Sequence, residues 1–303
     1  MKRTTVTIAV LAAALGLAAC GSTSNPLGTG SASSSSSAAG GVVTVGSADF
    51  SESILLADIY AGALKAAGIN ATTHTGIGSR EVYLKALTDG SVQIVPEYTG
   101  ALALYYDKTF DKTDPAQVYD ALKSLLPTGL TVLNRSAAED NDSMAVTKAT
   151  AEAKHLKTVE DLKTVAGSMT LGAPPEFQTR AQGIPGLARV YGVTFGTFRP
   201  LKGQQLVQAL KNGQVDVANI FSTDPSYATD GFVALTDTKK LFGSQNVVPL
   251  VSTSVADKVA PVLNKVSAVL TTVKLAAMLK ETDVDKKDPS AVAEEFLKAN
   301  GLG

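Results

Sequence analysis

The run Ala86-Leu87-Thr88-Asp89-Gly90-Ser91-Val92-Gln93-Ile94-Val95-Pro96-Glu97-Tyr98-Thr99 recurs without a gap as Ala209-Leu210-Lys211-Asn212-Gly213-Gln214-Val215-Asp216-Val217-Ala218-Asn219-Ile220-Phe221-Ser222. Both copies read as a helix end, a glycine stop, a strand, and a turn bearing an aromatic and a hydroxyl residue. A second echo, with one residue inserted, pairs Thr44-Val45-Gly46-Ser47-Ala48-Asp49-Phe50 with Thr170-Leu171-Gly172-Ala173-Pro174-Pro175-Glu176-Phe177. Each half therefore carries a strand-to-loop turn with an acid and a phenylalanine. Chance recurrence of α/β units is one explanation, since Ala-Leu pairs and Gly are common. The other is a chain of two similar lobes whose strand-end loops face each other across a cleft, and such clefts are ligand sites.

The pattern between the echoes is α/β. Val42-Val43-Thr44-Val45 is a β-branched run ending at Gly46, and Ser51 precedes Leu55, Leu56, Ile59, Tyr60, Ala63 and Leu64 at helical spacing, stopped by Gly68. Ile69 to His74 reads as a strand. Ser79 is placed to cap a helix running through Leu87, and Val92 to Val95 reads as a strand ending at Pro96. Alternating strands and helices predict a parallel or mixed sheet with helices on its faces, and ligands beyond the carboxyl ends of its strands. With 303 residues, 45% of them hydrophobic, the chain is long enough for one large or two modest globular units.

The N-terminus has its own logic. Lys2 and Arg3 precede an apolar stretch from Val6 to Leu15, closed by Leu17-Ala18-Ala19-Cys20. This resembles the bacterial lipobox. The resemblance implies a signal peptide over residues 1–19, cleavage before Cys20, and a lipid on the Cys20 thiol. The apolar run is shorter than the ~20 residues that span a bilayer core. From Gly21 to Gly41 the chain is almost entirely Ser, Gly, Ala and Thr, a flexible tether with a root-mean-square reach of ~25 Å. The folded part is expected to begin near Val42.

Several function classes lack their parts. Lys and Arg number 27 against 28 Asp and Glu, which leaves no electrostatic footprint for nucleic acid. Cys20 is the only cysteine, so no disulfide, CxxC metal site or thiol nucleophile is expected in the folded part. His74 and His155 have no neighbouring ligand pattern, Gly76-Ile77-Gly78 lacks the third glycine of a dinucleotide fingerprint, and no P-loop or Gly-x-Ser-x-Gly elbow occurs. A pair of carboxylates is the one catalytic arrangement still open, because spatial pairing is not readable from sequence. No enzyme activity, cofactor or metal is expected.

Three runs carry a family resemblance: Val45-Gly46-Ser47-Ala48-Asp49-Phe50-Ser51-Glu52, Gly78-Ser79-Arg80-Glu81-Val82-Tyr83 and Pro96-Glu97-Tyr98-Thr99-Gly100. Arg180 with Gly183-Ile184-Pro185-Gly186-Leu187, Phe221-Ser222-Thr223-Asp224, and Ala293-Glu294-Glu295-Phe296-Leu297 extend it over residues 42–302. Together they resemble the osmoprotectant-binding proteins of ABC importers, the ProX and OpuC type for glycine betaine, choline and related solutes. The resemblance implies an α/β fold of the periplasmic-binding-protein kind (type II), two lobes with a hinge crossed twice and a central cleft. Lobe one is expected at residues 42–138 plus 246–303 and lobe two at 139–245. A monomer would close on its solute and deliver it to a membrane permease driven by a cytoplasmic ATPase, held nearby by the Cys20 lipid. A ligand-sensing lipoprotein of the same fold, without a transport role, is the alternative.

The resemblance also implies a site, and this sequence departs from it. The family surrounds a quaternary ammonium with tyrosines and clamps a carboxylate with basic groups. Tyr98 matches a cage position and Arg180 a clamp position. The other cage positions align with Ser143, Phe221 and Gln245, and a commonly basic first-loop position is Ala48. Losing two rings, each contributing roughly 1–2 kcal/mol over a desolvated cation, would weaken a quaternary amine by ~2–4 kcal/mol. Ser143 and Gln245, with Asp140, Asn141 and Asp142 nearby, offer hydrogen bonds instead, so the ligand is expected to be more hydroxylated or less cationic than betaine. Asp49, Phe50, Thr99, Asp142, Phe177 and Thr223 complete the candidate contacts. Each has a plainer reading: the phenylalanines and Tyr98 as core, Arg180 as a solvated helix charge, Glu52 and Glu97 as helix-terminal or hinge groups.

Overall fold

A computed structural model describes residues 41–303; the expected signal peptide, Cys20 and nearly all of the tether lie outside the described residues. The strands are β1 (Val43–Gly46), β2 (Ala71–His74), β3 (Ile94–Tyr98), β4 (Leu130–Val132), β5 (Asp142–Val146), β6 (Thr170–Ala173), β7 (Thr197–Pro200), β8 (Val217–Phe221), β9 (Val233–Leu235) and β10 (Val247–Ser252). They form two five-stranded mixed sheets, ordered β2-β1-β3-β10-β4 and β7-β6-β8-β5-β9. In each, the first three strands are parallel, and the fourth runs antiparallel to both of its neighbours. The fold is thus two α/β lobes of one topology, each borrowing its fourth strand from across the molecule's middle.

The sequence echoes fall on equivalent strands. The longer one superposes β3 on β8, and the shorter one superposes β1 on β6. Register agrees as well: Val45 pairs with Ile94 in the first sheet, and the echo counterparts Leu171 and Val217 pair in the second. Even the glycines have one cause. A Cβ on Gly46 would sit 3.1 Å from Val92 Cγ1, and a Cβ on Gly172 would sit 3.1 Å from Cγ1 of Val215, the echo of Val92. The closest contacts are still tighter, Ile77 Cδ1 at 2.9 Å for Gly46 and Leu206 Cδ1 at 2.6 Å for Gly172, so at both positions side chains that include the valine of the turn before the neighbouring strand close over the backbone.

Helix α1 (Ser51–Ala66) follows β1 and buries Leu55, Leu56, Ile59, Tyr60 and Leu64 against the first sheet. At roughly 1.5–3 kcal/mol for each large apolar side chain removed from water, this packing outweighs any intrinsic helix propensity. The helix ends as expected at Gly68, whose φ of 78° lets its N–H and that of Ile69 reach the carbonyls of Lys65 and Leu64. Helix α2 (Arg80–Thr88) and helix α3 (Thr99–Tyr106) lie on the opposite face, with Tyr83, Leu84, Leu87 and Leu102 in a second core layer. The other lobe repeats the arrangement around Leu162, Leu171 and Tyr191 on one face and Leu206, Leu210 and Ile220 on the other.

Two local expectations are corrected. The strand expected to end at Pro96 runs through it to Tyr98, and Pro96 lies opposite Pro249 of β10. An antiparallel ladder exchanges no hydrogen bonds at every second pair, so two prolines facing each other there cost no ladder bond. Ser79 precedes α2, but its side chain does not cap the helix; it donates to Glu81 Oε2 at 2.6 Å.

The chain passes between the sheets after β4 and again before β10. Where the crossing segments meet, Glu139 and Asn246 form an isolated antiparallel bridge, and the Asp140 N–H donates to the Gln245 carbonyl at 3.1 Å. The Val247 N–H also donates to the Ala138 carbonyl and the Ser136 N–H to the Val247 carbonyl, both at 2.9 Å, and a crossing of two such segments is the kind of place where lobes hinge.

Candidate functional site

The loops after β1, β3, β6 and β8 converge where parallel strands place ligands, beyond their carboxyl ends. Phe50 and Tyr98 come from the first lobe. Their echo counterparts Phe177 and Phe221 come from the second, and all four line one cavity of about 90 Å³. Phe50 stands in a row between Tyr98 (centroids 6.3 Å apart, planes at 30°) and Phe221 (6.0 Å, 20°), so the stack crosses from lobe to lobe. A second, more open cavity of about 440 Å³ shares the wall of Asp49, Phe50, Asp140, Lys202, Asn219 and Phe221.

Beneath Tyr98 lies a saturated ionic floor. Arg80 donates to both Glu97 oxygens at 2.7 and 2.9 Å, the Tyr83 hydroxyl donates at 2.6 Å, and the Tyr98 N–H at 2.9 Å. Burial works against the Arg80 charge, but the adjoining Glu97 carboxylate outweighs it and raises the arginine's pKa. Glu97 has four donors and no exposure, so it holds the wall together and does not reach a ligand.

Among the described residues, three polar contacts between side chains join the lobes across the cleft. Arg180 donates to both oxygens of Glu81 at 3.2 and 3.3 Å, and Lys202 donates to Asp49. Burial opposes the Glu81 charge, yet its bonds from Arg180 and Ser79 hold its pKa at about 2. The third contact is fully buried: the Thr223 hydroxyl lies 2.6 Å from Glu52 Oε2 and 2.8 Å from Asp140 Oδ1, and Tyr98 donates to Glu52 Oε1 at 2.6 Å. One hydroxyl hydrogen serves only one acceptor, so this arrangement is complete when one carboxyl carries a proton and donates to Thr223. Burial, partly offset by the Thr223 and Tyr98 hydrogen bonds, pushes Glu52 up to about 7, and burial with the nearby Glu52 charge raises Asp140 well above its ordinary range.

Of the residues expected from sequence, Asp49, Phe50, Tyr98, Asp142, Phe177, Arg180, Phe221 and Gln245 line the smaller cavity, and Thr223 lines the larger. Thr99 and Ser143 line neither. Thr99 faces the crossing strand, donating to the Ser244 carbonyl at 3.2 Å and accepting from the Asn246 N–H. Ser143 is turned away by strand alternation. Asp142 pairs with Phe221 across β5 and β8 and shares its face, so the next pair, Ser143 and Ile220, points to the other side. There Ser143 donates to the Ile220 carbonyl at 2.6 Å and meets the Tyr227 hydroxyl. Gln245 reaches the cavity with both polar ends committed, accepting from the Ala101 N–H at 2.8 Å and donating to the Phe242 carbonyl at 2.7 Å. The hydrogen bonds expected from Ser143 and Gln245 are therefore spent inside the protein, and at this point of β5 it is Asp142 that lines the cavity.

Sequence reasoning did not single out Lys202, Asn219 or the Arg80–Glu97 pair as site groups. Arg80 and Tyr83 stand at i, i+3 on α2, but their shared partner sits on another element, and nothing local marks it. Lys202 has no signal beyond its place before the helix Gly203–Lys211.

The profile of a family described as the substrate binding domain of ABC-type glycine betaine transport systems matches residues 41–299. The chain belongs to this family. Among members of this glycine betaine-type family, a glycine-betaine-binding protein of Pseudomonas aeruginosa is 27% identical over 273 residues, covering 85% of this chain and 88% of that protein. The glycine betaine-binding protein YehZ of Escherichia coli is 28% identical over 280 residues, covering 86% and 90%. A crystal structure titled as a glycine betaine/carnitine/choline ABC transporter superposes with a TM-score of 0.69 at 26% identity, covering 86% of this chain and 99% of that one. As a member, the chain is a solute-binding component of ABC-type transport with the type II periplasmic-binding-protein fold.

Proposed function

We propose that this protein is an extracytoplasmic receptor that captures a small osmoprotectant-like solute, of the betaine and choline class or a more hydroxylated relative, and delivers it to an ABC permease. The observation that carries the reading is the aromatic row Tyr98–Phe50–Phe221, assembled from both lobes at the strand ends, because a ligand touching both walls stabilises only the closed form. The lobes are taken as residues 42–138 plus 246–303 and residues 139–245, hinged at the Glu139–Asn246 bridge. Asp49, Phe50, Tyr98, Asp142, Phe177, Arg180 and Phe221 form the site, with Thr223 as a lobe-bridging group. The Cys20 lipid and its tether keep a monomeric receptor beside the permease and its ATPase. Binding is stoichiometric and without turnover.

Thermal shift and calorimetry on the purified protein with glycine betaine, choline, carnitine and ectoine test this, since stabilisation grows with ligand concentration over Kd. One or more of these solutes is expected to bind with one-to-one stoichiometry and to lose affinity at least tenfold in Tyr98→Ala. Absence of binding across the panel, or binding indifferent to Tyr98, overturns the reading.

A further inference from the structure

We propose that Asp142 sets ligand choice, selecting a cation that still carries an N–H, a protonated amine, over its fully methylated quaternary counterpart. The inference rests on the proposed solute-binding role and names the chemistry of the solute.

Each cation on the cavity wall is already paired with an acid of the protein: Arg80 with Glu97, Arg180 with Glu81 and more distantly with Glu176 at 3.8 Å, and Lys202 with Asp49. Among the described residues no cation forms an ion pair with Asp142, and Glu52 and Asp140, which share a proton, add at most one further negative charge. The surplus at the site is negative, which favours a positively charged solute over the less cationic one expected from sequence.

Asp142 Oδ1 accepts from Asn219 Nδ2 at 3.0 Å, while among the described residues nothing donates to Oδ2. Its cross-strand neighbour is Phe221, so the free oxygen and an aromatic ring share one face of the wall, with Tyr98 and Phe50 beside them. Burial raises the pKa of Asp142, with Asn219, Arg180 and Arg80 pulling the other way, as befits a carboxylate short of counter-charge. An aromatic face attracts any alkylated ammonium. A carboxylate oxygen asks for more: an N–H donor gives it a short charge-assisted hydrogen bond, whereas a quaternary nitrogen presents only methyl groups and leaves the oxygen desolvated and unpaired. Sites built around a buried polar group reject the analogue lacking its partner far more strongly than an apolar pocket rejects an extra methyl.

Two matched pairs isolate this difference: 2-(dimethylamino)ethanol against choline, and N,N-dimethylglycine against glycine betaine, each differing by one N-methyl. Calorimetry near pH 7, where the tertiary amines are protonated, is expected to show wild-type protein binding the N–H member of at least one pair tenfold or more tightly. Asp142→Asn is expected to bring the members of that pair within about threefold by weakening the N–H member alone. Tighter binding of the quaternary members by wild-type protein overturns the inference and leaves the osmoprotectant reading intact, as does a preference that survives in Asp142→Asn. If none of the four binds, both fail. Should Asp142→Asn not fold, the wild-type comparison within each pair decides.

Discussion

Glu52 is the second residue of α1, and at that position a carboxylate would ordinarily favour the helix by facing its positive end. Here it is sealed between the lobes with Tyr98, Thr223 and Asp140 around it and Asp283 adding a like charge. With a folded pKa of about 7 against an ordinary 4.5, the folded protein binds more protons than the unfolded chain between those values. Stability linked to Glu52 is therefore fully present below about pH 4.5 and lost as pH rises toward 7, the reverse of a salt-bridged carboxylate. Asp140, also raised, acts in the same direction. Denaturant unfolding at pH 5 and pH 7.5 is expected to show a decline on the order of 1–3 kcal/mol, and Glu52→Gln is expected to flatten it. An unchanged slope in the variant refutes this assignment. The Arg80–Glu97 pair behaves differently, because removing one partner strands a buried charge. Arg80→Ala is expected to cost about 3–5 kcal/mol, measured as a lowered urea midpoint, whereas a loss under 1 kcal/mol would mean that Glu97 finds other compensation.

At the scale of elements, what was legible in the sequence was whatever repeats locally. The glycine stops, the α1 face and the two echoes follow from spacing along the chain, and β1, β3, β6 and β8 stand where those echoes put them. What needed the structure was decided across strands. Pro96 survives inside β3 because its pair with Pro249 falls where the ladder exchanges no bond, and Asp142 displaces Ser143 at the cavity only because β5 pairs Asp142 with Phe221. A one-residue change in register would reverse that choice, and no local pattern encodes it. The echo also yields a test. Alanine at Gly172 would bring a Cβ within 2.6 Å of Leu206 Cδ1, in a core with Val215 at 3.1 Å. Gly172→Ala is expected to destabilise by about 1–3 kcal/mol through overpacking, read as a lowered melting temperature. Gly41→Ala, where a Cβ meets nothing within 4 Å, is the control expected to leave it within error.

For the whole molecule, the question is what holds the lobes together before a solute arrives. The Arg180–Glu81 and Lys202–Asp49 pairs cross the cleft at half-exposed positions, where an ion pair is worth at most about 1 kcal/mol and is screened by salt. Together they amount to about 1–2 kcal/mol, a factor of roughly 5–30 in the ratio of closed to open molecules, enough to shift a hinge without locking it. The buried Glu52–Thr223–Asp140 contact stays behind as a latch indifferent to salt. In small-angle scattering without ligand, wild-type protein is therefore expected to expand slightly between 50 and 500 mM salt. The double variant Asp49→Asn/Glu81→Gln is expected to be expanded already at low salt and to respond little further. If both proteins scatter alike at both salts, these pairs do not govern closure, and the closed state rests on the buried carboxyl cluster and the aromatic row alone.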